Sequence, residues 1–230
     1  MSTAKILVVD DDPAVRNLIH RFLSKQEYTV ESAEDGKNAL TLFDQLNPDL
    51  VILDVNLPDT TGYSLCQEMQ DRTGVFVMML TNRSDEEDIV QGFQRGADDY
   101  LTKPFSLVEL GARVAAVLKR QRIVTPATAK CITIGSLSID PGSREVSFND
   151  QPIALTALEF DLLHFLASHP NRVWRRSELL QEVWDYDYVG EPRVVDVHIG
   201  QIRRKIEAFS KEPSQIQTVR GVGYKFEVPS

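Results

Sequence analysis

Residues 6–13 read ILVVDDDP. Four apolar residues run without alternation into three carboxylates and a proline. A short apolar run of this kind suits a strand buried on both faces, as in a parallel sheet covered by helices. The acidic triplet then marks the point where the strand leaves the sheet. Adjacent like charges repel, so water or a cation must offset them. Asp12 before Pro13 also suits a helix N-cap followed by proline at the first helical position.

The flanking sequence repeats this grammar. KILVV (5–9), YTVESA (28–33), LVIL (50–53), VFVMML (75–80) and YLT (100–102) read as strands. Helical periods lie between and after them. Val15, Leu18, Ile19, Phe22 and Leu23 share one helix face, and Leu107, Leu110, Val114, Val117 and Leu118 share another. Ser106 offers an N-cap, with Glu109 three residues later. Alternating strands and helices predict a flavodoxin-like (βα)5 α/β fold, doubly wound, over residues 1–120. KRQRIVTPATAK (119–130) is polar, contains a proline and lacks an apolar period, which places a linker at 121–130.

The pattern changes from residue 131. Short strands CITIG, SLSID, REVSF and PIAL are separated by PGS and NDQP turns. Helical segments follow at 156–169, 177–184 and 193–209, and QTVRGVGYKFEV closes the chain as a hairpin. Three helices closed by a hairpin outline an α+β winged helix-turn-helix domain over 131–230.

The 230 residues suit two ordinary domains. No apolar run approaches the ~18 residues of a membrane span, and the N-terminus lacks a secretory pattern. Cys66 and Cys131 have neither disulfide-framework nor zinc-site spacing. A cytoplasmic setting without membrane contact is expected. The net charge of −9 argues against indiscriminate nucleic-acid binding by the whole molecule. The charge is uneven: up to Arg122 there are 20 acidic and 13 basic residues, and beyond it 14 and 12. Residues 193–225 reverse the balance, with seven basic residues against three acidic. That is the electrostatic footprint of a DNA-facing patch, although basic residues also gather at helix C-termini to suit the dipole.

Ligands of open parallel sheets bind beyond the carboxyl ends of the strands. Asp10, Asp11 and Asp12 leave the first strand there, Asp54 ends the third, Thr81 follows the fourth, and Lys103 follows the fifth. Clustered carboxylates raise one another's pKa unless a cation enters. A few hard oxygen ligands completed by water favour Mg2+, or Mn2+. A carboxylate beside such a cation can attack phosphorus, with Lys103 stabilising charge on the phosphoryl oxygens. No G-x-G-x-x-G loop follows the first strand, which argues against a dinucleotide site. A metal-assisted aspartyl-phosphate hydrolase is the rival class. It needs an acid two residues after the nucleophile, where this chain has Asn56.

VVDD, LDVNLPDTTG, MLTN and GADDYLTKPF resemble the receiver domain of two-component response regulators. LTALEFDLL, VVDVHIGQIRRKI and TVRGVGYKF resemble the winged-helix effector of the OmpR/PhoB subfamily. The resemblance spans nearly the whole chain. It implies a transcription factor rather than a dedicated enzyme, with Mg2+-dependent self-phosphorylation and slow self-dephosphorylation of the receiver. It makes Asp54 the phosphoacceptor for a sensor histidine kinase. Asp10, Asp11, Asp54 and the Asn56 carbonyl hold Mg2+, Thr81 and Tyr100 form the switch pair, and Lys103 is the phosphoryl partner, with a cis bond to Pro104. It also implies a homodimer through the fourth helix, fifth strand and fifth helix. Asp99 and Arg113 suit an ion pair on that face, whereas Ile89 and Gln94 stand where charged partners are usual. Asn82 replaces a smaller residue beside the pocket, so slower phosphoryl exchange is expected. Loop 185–192 is either a plain connector or a contact for RNA polymerase.

For promoter DNA, the helix from Arg193 is expected in the major groove. The helical period turns Val195, Ile199, Ile202 and Ile206 inward and leaves Arg193, Val194, Val197, Gln201 and Arg204 facing DNA. The resemblance favours Arg193, Val197, Gln201 and Arg203. Arg220 and Tyr224 in the hairpin are expected to reach the sugar-phosphate or the minor groove. Arg176 stands at a helix N-terminus suited to phosphate. His198 and Trp184 are expected to pack in the core.

Overall fold

Residues 6–9 lie within β1 (Lys5–Val9) and are fully buried. The computed structural model describes residues 3–73, 75–82, 97–122, 130–184, 193–210 and 215–228. The chain divides into two units, Met1–Gln121 and Arg122–Ser230.

In the first unit β1 joins β2 (Thr29–Ala33), β3 (Leu50–Asp54), β4 (Phe76–Thr81) and β5 (Asp99–Thr102). All pairings are parallel, in the order β2-β1-β3-β4-β5. This is the flavodoxin-like order, and chain direction across the sheet reverses between β1 and β3. Asp12 caps the helix Pro13–Ser24, accepting from the Ala14 N–H at 2.7 Å. Ile19 and Leu23 of that helix are buried, but Leu18 is 49% exposed although it shares their period. The helices Gly36–Leu46 and Gly62–Thr73 follow β2 and β3.

The helix Leu107–Arg122 buries Leu110, Val114, Val117 and Leu118. Ser106 Oγ accepts from the Val108 N–H at 3.2 Å, whereas Glu109 accepts from Arg113. The helix continues through Arg122, two residues into the segment read as linker, the rest of which to residue 129 lies outside the described residues. Lys, Arg and Gln are good helix formers, and this last turn is helical without an apolar period.

The second unit opens with an antiparallel meander of β6 (Ile132–Ile134), β7 (Leu137–Asp140), β8 (Glu145–Phe148) and β9 (Gln151–Ile153). A capping box between Thr156 and Glu159 starts the helix Ala157–Ser168. The expected helix 177–184 is a short α-helix, Arg176–Leu179, continued by a π turn, Leu180–Trp184. The helix Arg193–Glu207 follows. β10 (Trp174–Arg175), β11 (Ile216–Val219) and β12 (Gly223–Phe226) form the wing sheet, in the order β10-β12-β11. A Cβ at Gly223 would strike the Trp174 carbonyl oxygen, so only glycine lets β12 lie this close to β10. Trp184, Val195, Ile199, Ile202, Ile206 and Phe226 form the core, with His198 buried beside Trp184. Among the described residues no helix is long and apolar enough to cross a membrane.

Candidate functional site

Asp10 follows β1, Asp54 ends β3 and Lys103 follows β5, so parallel register brings three distant stretches to one sheet edge. The Lys103 ammonium donates to Asp10 Oδ2 at 2.7 Å and to Asp54 Oδ2. Asp10 is fully buried and Asp54 nearly so, whereas Asp11 is exposed. One carboxylate oxygen from each of Asp10, Asp11 and Asp54 lies within 4.8 Å of the others. Backbone N–H groups hold two of these side chains: Asp12 donates to Asp10 Oδ1 at 2.9 Å and Asn56 to Asp54 Oδ1 at 2.7 Å.

Burial pushes the Asp10 carboxyl above its ordinary range, despite the opposing bond from Lys103. Burial also works against the charged form of Lys103, but its bonds to Asp10 and Asp54 outweigh that and raise its pKa. The cluster therefore sets three carboxylates against one ammonium. That excess of hard anionic oxygen fits a divalent oxygen-seeking cation.

A cleft opens over these groups, lined by Asp11, Asp54, Asn56, Asn82, Lys103 and Phe105 among others. Thr81 and Tyr100 are both buried, on neighbouring strands β4 and β5. The Lys103–Pro104 bond is cis, as expected.

Two supports were not anticipated. Arg16 donates to the Asp10 backbone carbonyl at 2.6 Å and lies 3.5 Å from Glu34. Asp59 accepts from the Gly36 and Lys37 N–H groups at 2.8 and 3.0 Å, tying the loop after β3 to a helix N-terminus. Those backbone bonds, led by Gly36, hold the Asp59 carboxyl below its usual range. Arg16 lies one turn into a helix and Asp59 lies in a TTG-flanked loop; neither position announces its partner.

The second unit presents a surface from the helix Arg193–Glu207, the helix start at Arg176 and the wing. Arg204 and Arg220 are exposed and Val197 half-buried. Four expectations need correction. Val194 is buried. Gln201 is 7% exposed, and its side-chain oxygen accepts from Arg204 at 3.1 Å. Arg203 turns to the wing, donating to the Ile216 carbonyl and to Thr218 Oγ1, each at 2.8 Å. Tyr224 is 4% exposed and donates its hydroxyl to Asp196 Oδ1 at 2.6 Å. For Arg203 and Tyr224 the reason is packing: the helix lies against the wing, so these side chains pair across that seam. Arg176 Nε also donates to Asp196 Oδ1, at 2.6 Å.

Residues 6–115 match the response regulator receiver domain, and residues 150–226 match the C-terminal domain of transcriptional regulatory proteins. The chain is 43% identical to the alkaline phosphatase synthesis transcriptional regulatory protein PhoP of Bacillus subtilis (strain 168), over 98% of this chain and 97% of that protein. It is 45% identical to the response regulator MprA of Mycolicibacterium vanbaalenii, with 96% of each covered. The chain belongs to the OmpR/PhoB family of response regulators.

Among solved structures, a single-site mutant of RitR has a TM-score of 0.83 at 29% identity, covering 98% of this chain and 100% of that one. DrrB, a Thermotoga maritima OmpR/PhoB homolog, has a TM-score of 0.53 at 36% identity with the same coverage. This response regulator is a DNA-binding transcription regulator whose receiver provides control by phosphorylation. On the expected dimer face, Arg113 donates within the chain to Asp99 at 2.8 Å and to Glu109 at 2.9 Å. Ile89, Gln94 and loop 185–192 lie outside the described residues, as does the Arg193 side chain.

Proposed function

We propose that Asp54 accepts a phosphoryl group from a sensor histidine kinase in the cytoplasm, and that this modulates homodimerisation and promoter binding by the second unit. The observation that carries the reading is the convergence of Asp10, Asp11, Asp54 and Lys103 at one sheet edge. Asp10, Asp11, Asp54 and the Asn56 carbonyl would hold Mg2+, which would supply charge neutralisation for the phosphoryl transfer. Asp54 forms the new P–O bond as the donor's P–N bond breaks. The Asn56 N–H fixes Asp54 Oδ1, and Oδ2, which faces the Lys103 ammonium, is the attacking oxygen. Lys103 follows the developing phosphoryl charge, and Thr81 donates its hydroxyl to the transferred group.

Thr81 shifts toward the transferred group, and Tyr100 reads that movement. Arg113, Asp99 and Glu109 then re-pair on the dimer face, whose register Ile89 and Gln94 adjust. Arg193, Val197, Arg204 and Arg220 approach DNA, and segment 185–192 is a candidate contact for RNA polymerase. Incubation with acetyl phosphate and Mg2+ followed by intact-mass measurement tests the central step. One added phosphoryl group is expected on the wild type and none on Asp54→Asn. Labelling that persists in Asp54→Asn removes the assignment.

A further inference from the structure

Asp196 places an acidic side chain in the first turn of the helix Arg193–Glu207, on the surface assigned to DNA. A carboxylate there repels phosphate, so its presence needs a physical reason. Its Oδ1 accepts from Arg176 Nε and from the Tyr224 hydroxyl, each at 2.6 Å. The Arg176 guanidinium also lies 5.2 Å from the centre of the Tyr224 ring. Three parts of the surface thus meet on one oxygen: the helix Arg193–Glu207, the start of the preceding helix, and the wing.

The two partners differ in freedom. Tyr224 is buried, and Arg203 lies over its ring as well, 5.6 Å from the centre. Arg176 and Asp196 have side chains 30% and 38% exposed, so an incoming anion can reach the guanidinium. Arginine presents five N–H donors in a fork that suits carboxylate and phosphate alike. The pair with Asp196 uses Nε, and the guanidinium also bonds the Tyr224 side chain, so a phosphate that takes Arg176 competes with this internal carboxylate.

We propose that Asp196 is a positioning residue that acts as an internal stand-in for DNA phosphate: it occupies Arg176 in the free protein and hands it to the backbone when DNA docks, while keeping Tyr224 anchored. The inference rests on the reading of this surface as the DNA contact. Its consequence is a set-point. Every duplex must displace an intramolecular anion before it gains the Arg176 contact, which weakens binding to all sequences equally and favours sites with enough other contacts. A surface ion pair of this exposure changes affinity by no more than about fivefold.

The test is binding of the full-length protein to a random-sequence duplex across a salt series. The variants are Asp196→Asn, which keeps shape and an acceptor oxygen, Arg176→Ala, and the double variant. Each phosphate neutralised changes the slope of log K against log salt by about 0.9. Asp196→Asn is expected to bind about two- to fivefold tighter at low salt, with a slope steeper by up to about 0.9. Arg176→Ala is expected to flatten the wild-type slope, and the double variant to lose the gain of Asp196→Asn. An unchanged slope in Asp196→Asn, or an equal gain without Arg176, overturns the inference while leaving the DNA surface in place. Absence of salt-dependent binding by the wild type, unaltered by Arg220→Ala, overturns both.

Discussion

Asp10, Asp54 and Lys103 lie 44 and 49 residues apart in sequence, yet one ammonium bridges both carboxylates. Their meeting was legible because strand ends in a parallel sheet share an edge, and residue position along the strand is enough to predict it. Contacts on the winged-helix surface were less legible. A helical period states which face a residue lies on; it does not state how far a long side chain reaches or which group it meets. Tyr224 shows the difference. Its place in the wing suggested exposure, but β12 pairs on both sides, and the ring turns into the angle between wing and helix. Burial, then the bond to Asp196 and the repulsion of that carboxylate, push its phenol from 10.0 up to about 12. For an acid raised in the folded state, the stabilisation is complete below the unfolded value near 10 and is lost as pH rises towards about 12. Ultraviolet difference titration of wild type against Tyr224→Phe is expected to show one phenol ionising near the upper value; a midpoint near 10 contradicts the observed bond.

At the scale of elements, strand positions were legible to within a residue or two, except the two-residue β10, which the sequence did not announce. β1, β3 and β4 carry unbroken apolar runs that only a doubly covered sheet accommodates. Two helix features were not. The last turn before Arg122 is held by propensity and not by an apolar stripe. The π turn Leu180–Trp184 carries Leu180, Val183 and Trp184 into the core with a spacing that a strict 3.6-residue pattern does not display. Gly200 poses a separate question within the helix Arg193–Glu207. Nothing lies within 4 Å of a Cβ built there, and the residue is exposed. Gly200→Ala is therefore expected to stabilise the second unit by about 0.5–1 kcal/mol in denaturant unfolding. A loss of DNA affinity alongside that gain marks Gly200 as a point of close backbone approach; unchanged affinity marks it as a tolerated solvent position.

For the whole molecule, the net charge of −9 is concentrated where it works against stability. The first 122 residues hold most of the acidic excess, and part of it sits in one cluster of three carboxylates with one ammonium. Functional sites commonly carry such a penalty, offset only when the ligand is present. Asp11 is the exposed member, so replacing it removes repulsion without opening a cavity. Asp11→Asn is expected to raise the first unit's melting temperature in EDTA by about 2–5 °C. On the proposed reading the same change removes a metal ligand. Wild type is expected to gain about 2.7 kcal/mol when Mg2+ is present at 100 times its dissociation constant, and Asp11→Asn to gain little. Differential scanning calorimetry with and without Mg2+ reads both effects in one experiment, and their opposite signs separate a ligand set from a merely acidic surface. An Asp11→Asn protein that melts no higher in EDTA, yet still responds fully to Mg2+, places the cation elsewhere.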